Sequence, residues 1–233
     1  MKLFYTSKIE NDVVILSEEE AAHATQIFRL KLNDIVHVTR GDGKIYEAQI
    51  IQIEKRLCAL KLLKIIENFN ISSYLNMAIA PTKNIERFEY FLEKTTEIGI
   101  QSITPLVSQR SERNVIKPER LEKLLVSAMK QSLSGFLPKL NAMQTFEQFL
   151  KNVPDVEQKF IAHCNSNSLP LLKNLYQKNT NCVILIGPEG DFTTAEVEKA
   201  EQQNFISISL GNRRLRTETA GVVAAHTIAL LNL

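Results

Sequence analysis

The sequence predicts an α/β protein in two parts: a small N-terminal β-barrel, then a larger domain in which helices cover a parallel sheet. Three observations predict it. Residues 1 to 70 carry short alternating apolar runs rich in β-branched residues, whereas later apolar strands alternate with longer helical patterns. The two grammars meet at the polar stretch "ENFNISS". The expected domains are therefore residues 1–70 and 74–233.

In the first part the strands are "DVVIL", "DIVHVT", "KIYEAQIIQI" and "CALKLLKII". "RGDGK" joins two of them, and its Asp42-Gly43 pair favours a tight hairpin turn. The one helical candidate is "SEEEAAHATQIF", with Ser17 as N-cap and acidic residues in the first turn. Short strands of this kind in about 70 residues fit a small barrel.

In the second part "YLNMAIA", "SITPLV", "KFIAH", "CVILIG" and "ISISLG" read as strands. Between the first two lies "IERFEYFLEKTTEIG", where Ile85, Phe88, Phe91, Leu92, Thr95 and Ile98 share one helical face and Gly99 closes the C-terminus. "PERLEKLLVSAMKQSL" is a further helix. Strand and helix in alternation predict a parallel sheet covered on both faces. The last helix, "TAGVVAAHTIALLNL", is apolar on most sides, which predicts packing against a second subunit and makes His226 a buried or interfacial imidazole.

The bulk composition narrows the function. In 233 residues, 44% hydrophobic content can bury a real core, and 28 Lys plus Arg against 26 Asp plus Glu give no global positive field. Any nucleic-acid surface must then be local. The N-terminus lacks a secretory signal, and "AGVVAAHTIALLNL" falls short of the roughly 20 residues that cross a bilayer, so no membrane contact and a cytoplasmic location are expected. Cys58, Cys164 and Cys182 have neither an even count nor C-x-x-C spacing, which predicts reduced, mostly buried thiols and no metal site.

Two loops stand out. "LIGPEG" ends a buried strand in Gly187, Pro188, Glu189 and Gly190, and Thr193 and Glu196 follow in capping-box spacing, with Phe192 and Val197 placed as a hydrophobic staple. This fixes a short strand-to-helix loop at the strand's carboxyl end, the edge where open α/β sheets bind ligands. A second loop, "LGNRRLRTETA", leaves a later strand at the same edge, and the two should face one another. They offer main-chain donors and acceptors, apolar Ile186, Leu210 and Leu215, and the charges Glu189, Arg216 and Glu218. No P-loop, G-x-G-x-x-G, H-E-x-x-H or G-x-S-x-G pattern occurs, so the residues alone point to a flat aromatic ligand without a tightly held phosphate.

"LIGPEG" paired with "LGNRRLRTETA" resembles the signature of the RsmE family of small-subunit ribosomal RNA methyltransferases in the SPOUT superfamily. "HATQIFRLKLND" and "KNIERFEYFLEKTTEIGIQSITPL" extend the resemblance along the chain. It implies a PUA-like barrel that binds RNA, a trefoil-knotted catalytic domain, a homodimer, and transfer of a methyl group from S-adenosyl-L-methionine to uridine N3 of 16S rRNA in the small ribosomal subunit. Carried over by position, Gly187, Pro188, Glu189 and Gly190 form one cofactor loop with Ile186, and Leu210, Gly211, Leu215, Arg216, Thr217, Glu218, Thr219 and Ala220 form the other. Ala162 and His163 supply the remaining wall. The chain departs from the family pattern at Asp191, where a second glycine is usual, and in "SLSGFLPKL", where a basic stretch is usual.

Methyl transfer from a sulfonium is an in-line displacement, so alignment dominates the catalytic demand. Uridine N3 must also lose a proton. Arg216 is the candidate for stabilising the resulting anion, while Glu218 either accepts the proton or holds Arg216; a purely structural Arg-Glu pair capping the last helix is the plain alternative. His23, Arg29 and Lys31 in the first part, with Lys83, Arg87, Arg110 and Arg113 in the second, are the expected RNA contacts. Two other functions compete: methylation of another RNA, such as a transfer RNA ribose hydroxyl, and non-catalytic RNA binding.

Overall fold

A computed structural model of the chain describes residues 2–69, 73–164 and 168–233. It divides into two compact units, residues 1–70 with 126–137, and residues 71–125 with 138–233. The boundary expected at 70–74 falls partly on 70–72, outside the described residues.

The first unit holds β1 (Leu3–Tyr5), β2 (Val13–Ile15), α1 (Glu18–Ala22), β3 (Ile35–Thr39), β4 (Lys44–Ile53) and β5 (Cys58–Asn68). Its strands form one sheet in the order β1-β3-β4-β5-β2. β1 runs parallel to β3, and the other pairings are antiparallel. Alternation places Val36, Val38, Ala48, Ile50 and Leu60 in one apolar cluster with Phe4, Val14 and Leu16. Ser17 caps α1 by accepting a hydrogen bond from the Glu20 amide at 3.2 Å, and the chain continues into a π-helical turn over His23–Ile27.

Residues 126–137 belong to this unit for backbone reasons. The Gly43 amide and the Thr39 hydroxyl donate to the Gly135 carbonyl at 2.8 and 3.1 Å, and the Leu137 amide donates to Gly41 at 3.0 Å. Lys130 pairs with the buried Glu20. The "SLSGFLPKL" stretch is thus held partly through its backbone.

The second unit contains β6 (Leu75–Ile79), α2 (Ile85–Ile98), β7 (Ser102–Val107) and the start of α3 (Pro118–Gln131). It continues with β8 (Lys139–Leu140), β9 (Gln144–Thr145), α4 (Phe146–Lys151), β10 (Gln158–Ala162) and α5 (Leu172–Leu175). It ends with β11 (Cys182–Ile186), α6 (Thr194–Gln202), β12 (Ile206–Ile208) and α7 (Thr217–Leu231). The sheet order is β12-β10-β11-β6-β7-β8, with β9 on β7, and every pairing is parallel.

Both faces of this sheet are covered, as its unbroken apolar strands require. All five residues of β6 and of β11 are buried. On one face Phe146, Phe149, Phe192, Val197 and Phe205 pack over Ala78, Ile161, Val183 and Leu185. Against β6 and β11 also lies α7, and on α7 packs α2, which buries Phe88, Phe91, Leu92 and Thr95 and closes on left-handed Gly99. His226, expected to be buried or interfacial, is exposed in the single chain. Among the cysteines, Cys58 and Cys182 are buried but Cys164 is exposed, because it sits in the loop that leaves β10.

Candidate functional site

The two loops singled out in the sequence leave the carboxyl ends of β11 and β12, and β10 lies between those strands. They therefore face each other across the end of β10, where Ala162 and His163 sit. Between them is a cleft of about 350 Å³. That volume is at the small-ligand scale of roughly 300–1,000 Å³.

One wall comes from Ile186, Gly187, Pro188 and Glu189, the other from Leu210, Gly211, Leu215, Arg216, Thr217 and Ala220, with Ala162 and His163 between them. Gly190, Glu218 and Thr219 do not line it. Five lining residues had escaped the sequence reading of the site: Cys164, Asp191, Ser209, Arg213 and Arg214. The two arginines follow directly from the "NRR" run in the second loop, a signal available in the sequence.

The first loop is fixed on every side. The Asp191 amide donates to the Pro188 carbonyl at 2.9 Å and closes the turn. Thr193 and Glu196 complete the capping box, and Glu196 also accepts the Gln109 amide at 2.8 Å. Glu189 accepts the Lys83 amide at 2.9 Å. Gly187 leaves room for the fold itself, since a Cβ there would stand 3.1 Å from the Phe192 amide nitrogen.

The second loop is tied mainly at its ends. Ser209 and Gly211 exchange two local hydrogen bonds, and Gly211 has a φ of 147°, which favours glycine. The buried Thr217 hydroxyl donates to the Gly187 carbonyl at 3.0 Å and joins the two loops. Arg216 is the exposed N-cap residue of α7, with no side-chain cap. Glu218 is buried in the first turn and its Oε2 has no partner among the described residues. No ion pair joins Arg216 to Glu218 among the described residues, so the simple capping pair does not form.

His163 lies 2.9 Å from the Ser207 hydroxyl through Nε2. Ser207 spends its own proton on Glu201 at 2.6 Å, so His163 Nε2 is the donor. Burial pushes the His163 pKa down, and the carboxylates of Asp191 and Glu201 oppose that shift. Partial desolvation raises the pKa of the Cys164 thiol despite its exposure, while Asp191 adds to the effect and Arg214 opposes it.

The expected RNA contacts fall in both units. In the first, His23 starts the π-helical turn, Arg29 is exposed at a left-handed φ of 51°, and Lys31 is exposed. In the second, Arg87 lies on α2 and is partly exposed. The other three carry local structure. Lys83 pairs with Glu112 at 2.8 Å, which raises its pKa. Arg113 donates to the Thr82 and Lys83 carbonyls at 2.9 and 2.6 Å, and Arg110 donates to the Gly190 carbonyl at 2.8 Å. No cluster of metal-binding side chains and no helix long and apolar enough to cross a membrane occurs among the described residues.

Comparison with known proteins agrees with the geometry. Residues 70–229 match the model of an RNA methyltransferase domain, and residues 16–63 match an RNA methyltransferase PUA domain. Ribosomal RNA small subunit methyltransferase E of Buchnera aphidicola subsp. Acyrthosiphon pisum is 31% identical over 92% of this chain and 86% of its own. The crystal structure of a probable rRNA-methyltransferase from Porphyromonas gingivalis is 36% identical, with a TM-score of 0.92 over 100% of this chain and 98% of its own. A Neisseria gonorrhoeae ribosomal RNA small subunit methyltransferase E bound to S-adenosyl methionine shares the fold, with a TM-score of 0.89 at 24% identity over 99% of this chain and 98% of its own. The chain belongs to the ribosomal RNA small subunit methyltransferase E family.

Proposed function

We propose that this chain transfers the methyl group of S-adenosyl-L-methionine to N3 of a uridine in 16S rRNA, within the small ribosomal subunit in the cytoplasm. The observation that carries this reading is the cleft at the strand ends, framed by two loops that the Thr217 to Gly187 hydrogen bond holds together.

The residues present fit the cofactor. Ile186, Leu210 and Leu215 offer apolar contact to an adenine ring, while the main chain of both loops can read its polar edge. Glu189 puts negative charge on the wall of a cleft meant for a cationic sulfonium. The cofactor, when bound, supplies an electrophilic methyl group. Gly187, Pro188 and Glu189 would hold it from one side, and Leu210, Gly211, Leu215, Thr217 and Ala220 from the other, with Ala162 and His163 between.

The protein's part in the chemistry is placement and charge. Arg216 stands at the cleft on the exposed N-cap of α7, where its guanidinium can stabilise the negative charge that develops on the uracil oxygens as N3 gives up its proton to solvent water. Glu218 sits in the first turn, where unpaired helix N–H groups favour a carboxylate, and we assign it to supporting the turn that presents Arg216. A direct proton acceptor needs to be within hydrogen-bond reach of the base, and Glu218 does not line the cleft.

The first unit is assigned to RNA binding, as a PUA-like barrel that uses His23, Arg29 and Lys31. The second unit is assigned to cofactor binding, with Lys83, Arg87 and Arg113 adding positive charge, Arg110 serving as a brace on the Gly190 carbonyl, and its C-terminal part forming a trefoil knot. Leu230 and Leu233 leave apolar surface at the end of α7, which supports a homodimer. The test is calorimetric titration with S-adenosyl-L-methionine, then methyl transfer to small subunits lacking the modification. Micromolar binding and methylation at uridine N3 are expected. Binding without transfer would move the target to another RNA.

A further inference from the structure

We propose that Asp191 is a positioning residue that braces the cofactor cleft by tying the loop after β11 to the loop after β10. The inference rests on the cofactor reading above.

Asp191 has a left-handed φ of 62°. Non-glycine residues adopt this conformation at a cost, lowest for Asp and Asn. A glycine would meet the backbone requirement without strain, so the side chain needs a reason to be there. The structure supplies two: Oδ1 accepts the Phe192 amide at 2.7 Å, and Oδ2 accepts the Cys164 amide at 2.8 Å. The first bond stays inside the turn. The second crosses 27 residues of sequence to the exit of β10.

The position of the brace gives it consequence. Asp191 and Cys164 both line the cleft, so the bond sets the distance between two stretches of its wall. Each bond has an ionised acceptor, and such hydrogen bonds are about twice as strong as neutral ones. The carboxylate lies two residues before Thr193, the N-cap of α6, where the helix N-terminus also favours negative charge. Loss of the brace would free the Cys164 amide and let the wall after β10 adopt positions that do not fit the ligand.

The test compares the parent with Asp191→Gly and Asp191→Asn. Glycine keeps the turn and removes both bonds; asparagine tolerates the conformation but has one acceptor oxygen for two donors. Hydrogen exchange at the Cys164 amide should rise at least tenfold in the glycine variant and less in the asparagine variant. Titration should show affinity for S-adenosyl-L-methionine and S-adenosylhomocysteine falling together, about tenfold for glycine and threefold for asparagine, on the scale of one hydrogen bond to a charged group. Equal affinity in parent and glycine variant, or an unprotected Cys164 amide in the parent, would overturn the proposal. A loss confined to the sulfonium ligand would also overturn it, because Asp191 would then act as a counter-charge. If the parent binds neither ligand, the cofactor reading fails, and the exchange measurement still decides whether the brace exists.

Discussion

The two walls of the cleft are built differently. The loop after β11 receives hydrogen bonds from Lys83, Arg110, Cys164 and its own helix cap, so its shape is set before any ligand arrives. The loop after β12 leaves Gly211 through Arg214 exposed and is anchored by Ser209 at one end and Thr217 at the other. A rigid wall suits recognition of an invariant ring, because ordering costs have already been met in folding. The looser wall carries Arg213, Arg214 and Arg216, charges suited to a substrate that comes and goes.

The sharpest way to break this contrast is Arg216→Ala. Loss of a single preorganised charge at a developing anion costs about 10²–10³ in kcat, so methyl transfer should fall by that factor while cofactor affinity, held by apolar and main-chain contacts from both walls, changes little. Single-turnover methylation alongside calorimetry would read both. Equal losses in affinity and turnover would mean that Arg216 helps to build the site as a whole.

Thr217→Val tests the link between the walls. It leaves the Gly187 carbonyl without its buried donor, which should cost about 2 kcal/mol of stability and weaken cofactor binding. Denaturant unfolding followed by titration would measure each effect. An unchanged protein would show that the walls are positioned independently.

Arg110→Ala separates scaffold from RNA contact. Its guanidinium donates to the Gly190 carbonyl, so cofactor affinity should fall about threefold with the salt dependence of RNA binding unaltered. A shallower salt slope would return Arg110 to the RNA surface. The smallest expected effect concerns His163, whose neutral form the fold favours through burial. Because its folded pKa is lowered from 6.5, that contribution is complete above about 6.5 and lost as pH falls through the lowered value. The extra acid sensitivity should disappear in His163→Gln, as measured by unfolding midpoints from neutral to mildly acidic pH.

Much of this was legible in the sequence because it rests on local chemistry. The cap at Thr193, the stop at Gly99 and the strand over Lys44–Ile53 each follow from residues a few positions apart. The features that were missed depend on residues far apart in the chain. Nothing near Gly135 announces that it pairs with Gly43, nor that Arg110 closes on Gly190. The short β1, β8 and β9, of two or three residues, are too brief for periodicity to register. Gly221 looks like one more small residue in an apolar helix, yet a Cβ there would stand 2.5 Å from the Phe91 ring, so it sets how closely α7 approaches α2. The two loops and their shared sheet edge could be read from the residues, and a cofactor role for them only from the family resemblance, whereas the presence of β10 between their strands could not be read at all.

The most direct measurement is titration of the purified protein with S-adenosyl-L-methionine, in parallel for the parent and a variant whose Gly187 is replaced by valine. A Cβ at that position would already press on Phe192, so the first wall should distort and binding should weaken at least tenfold from a micromolar parent. If the parent shows no heat of binding, or the valine variant binds as the parent does, the cleft between these two loops is not the cofactor site.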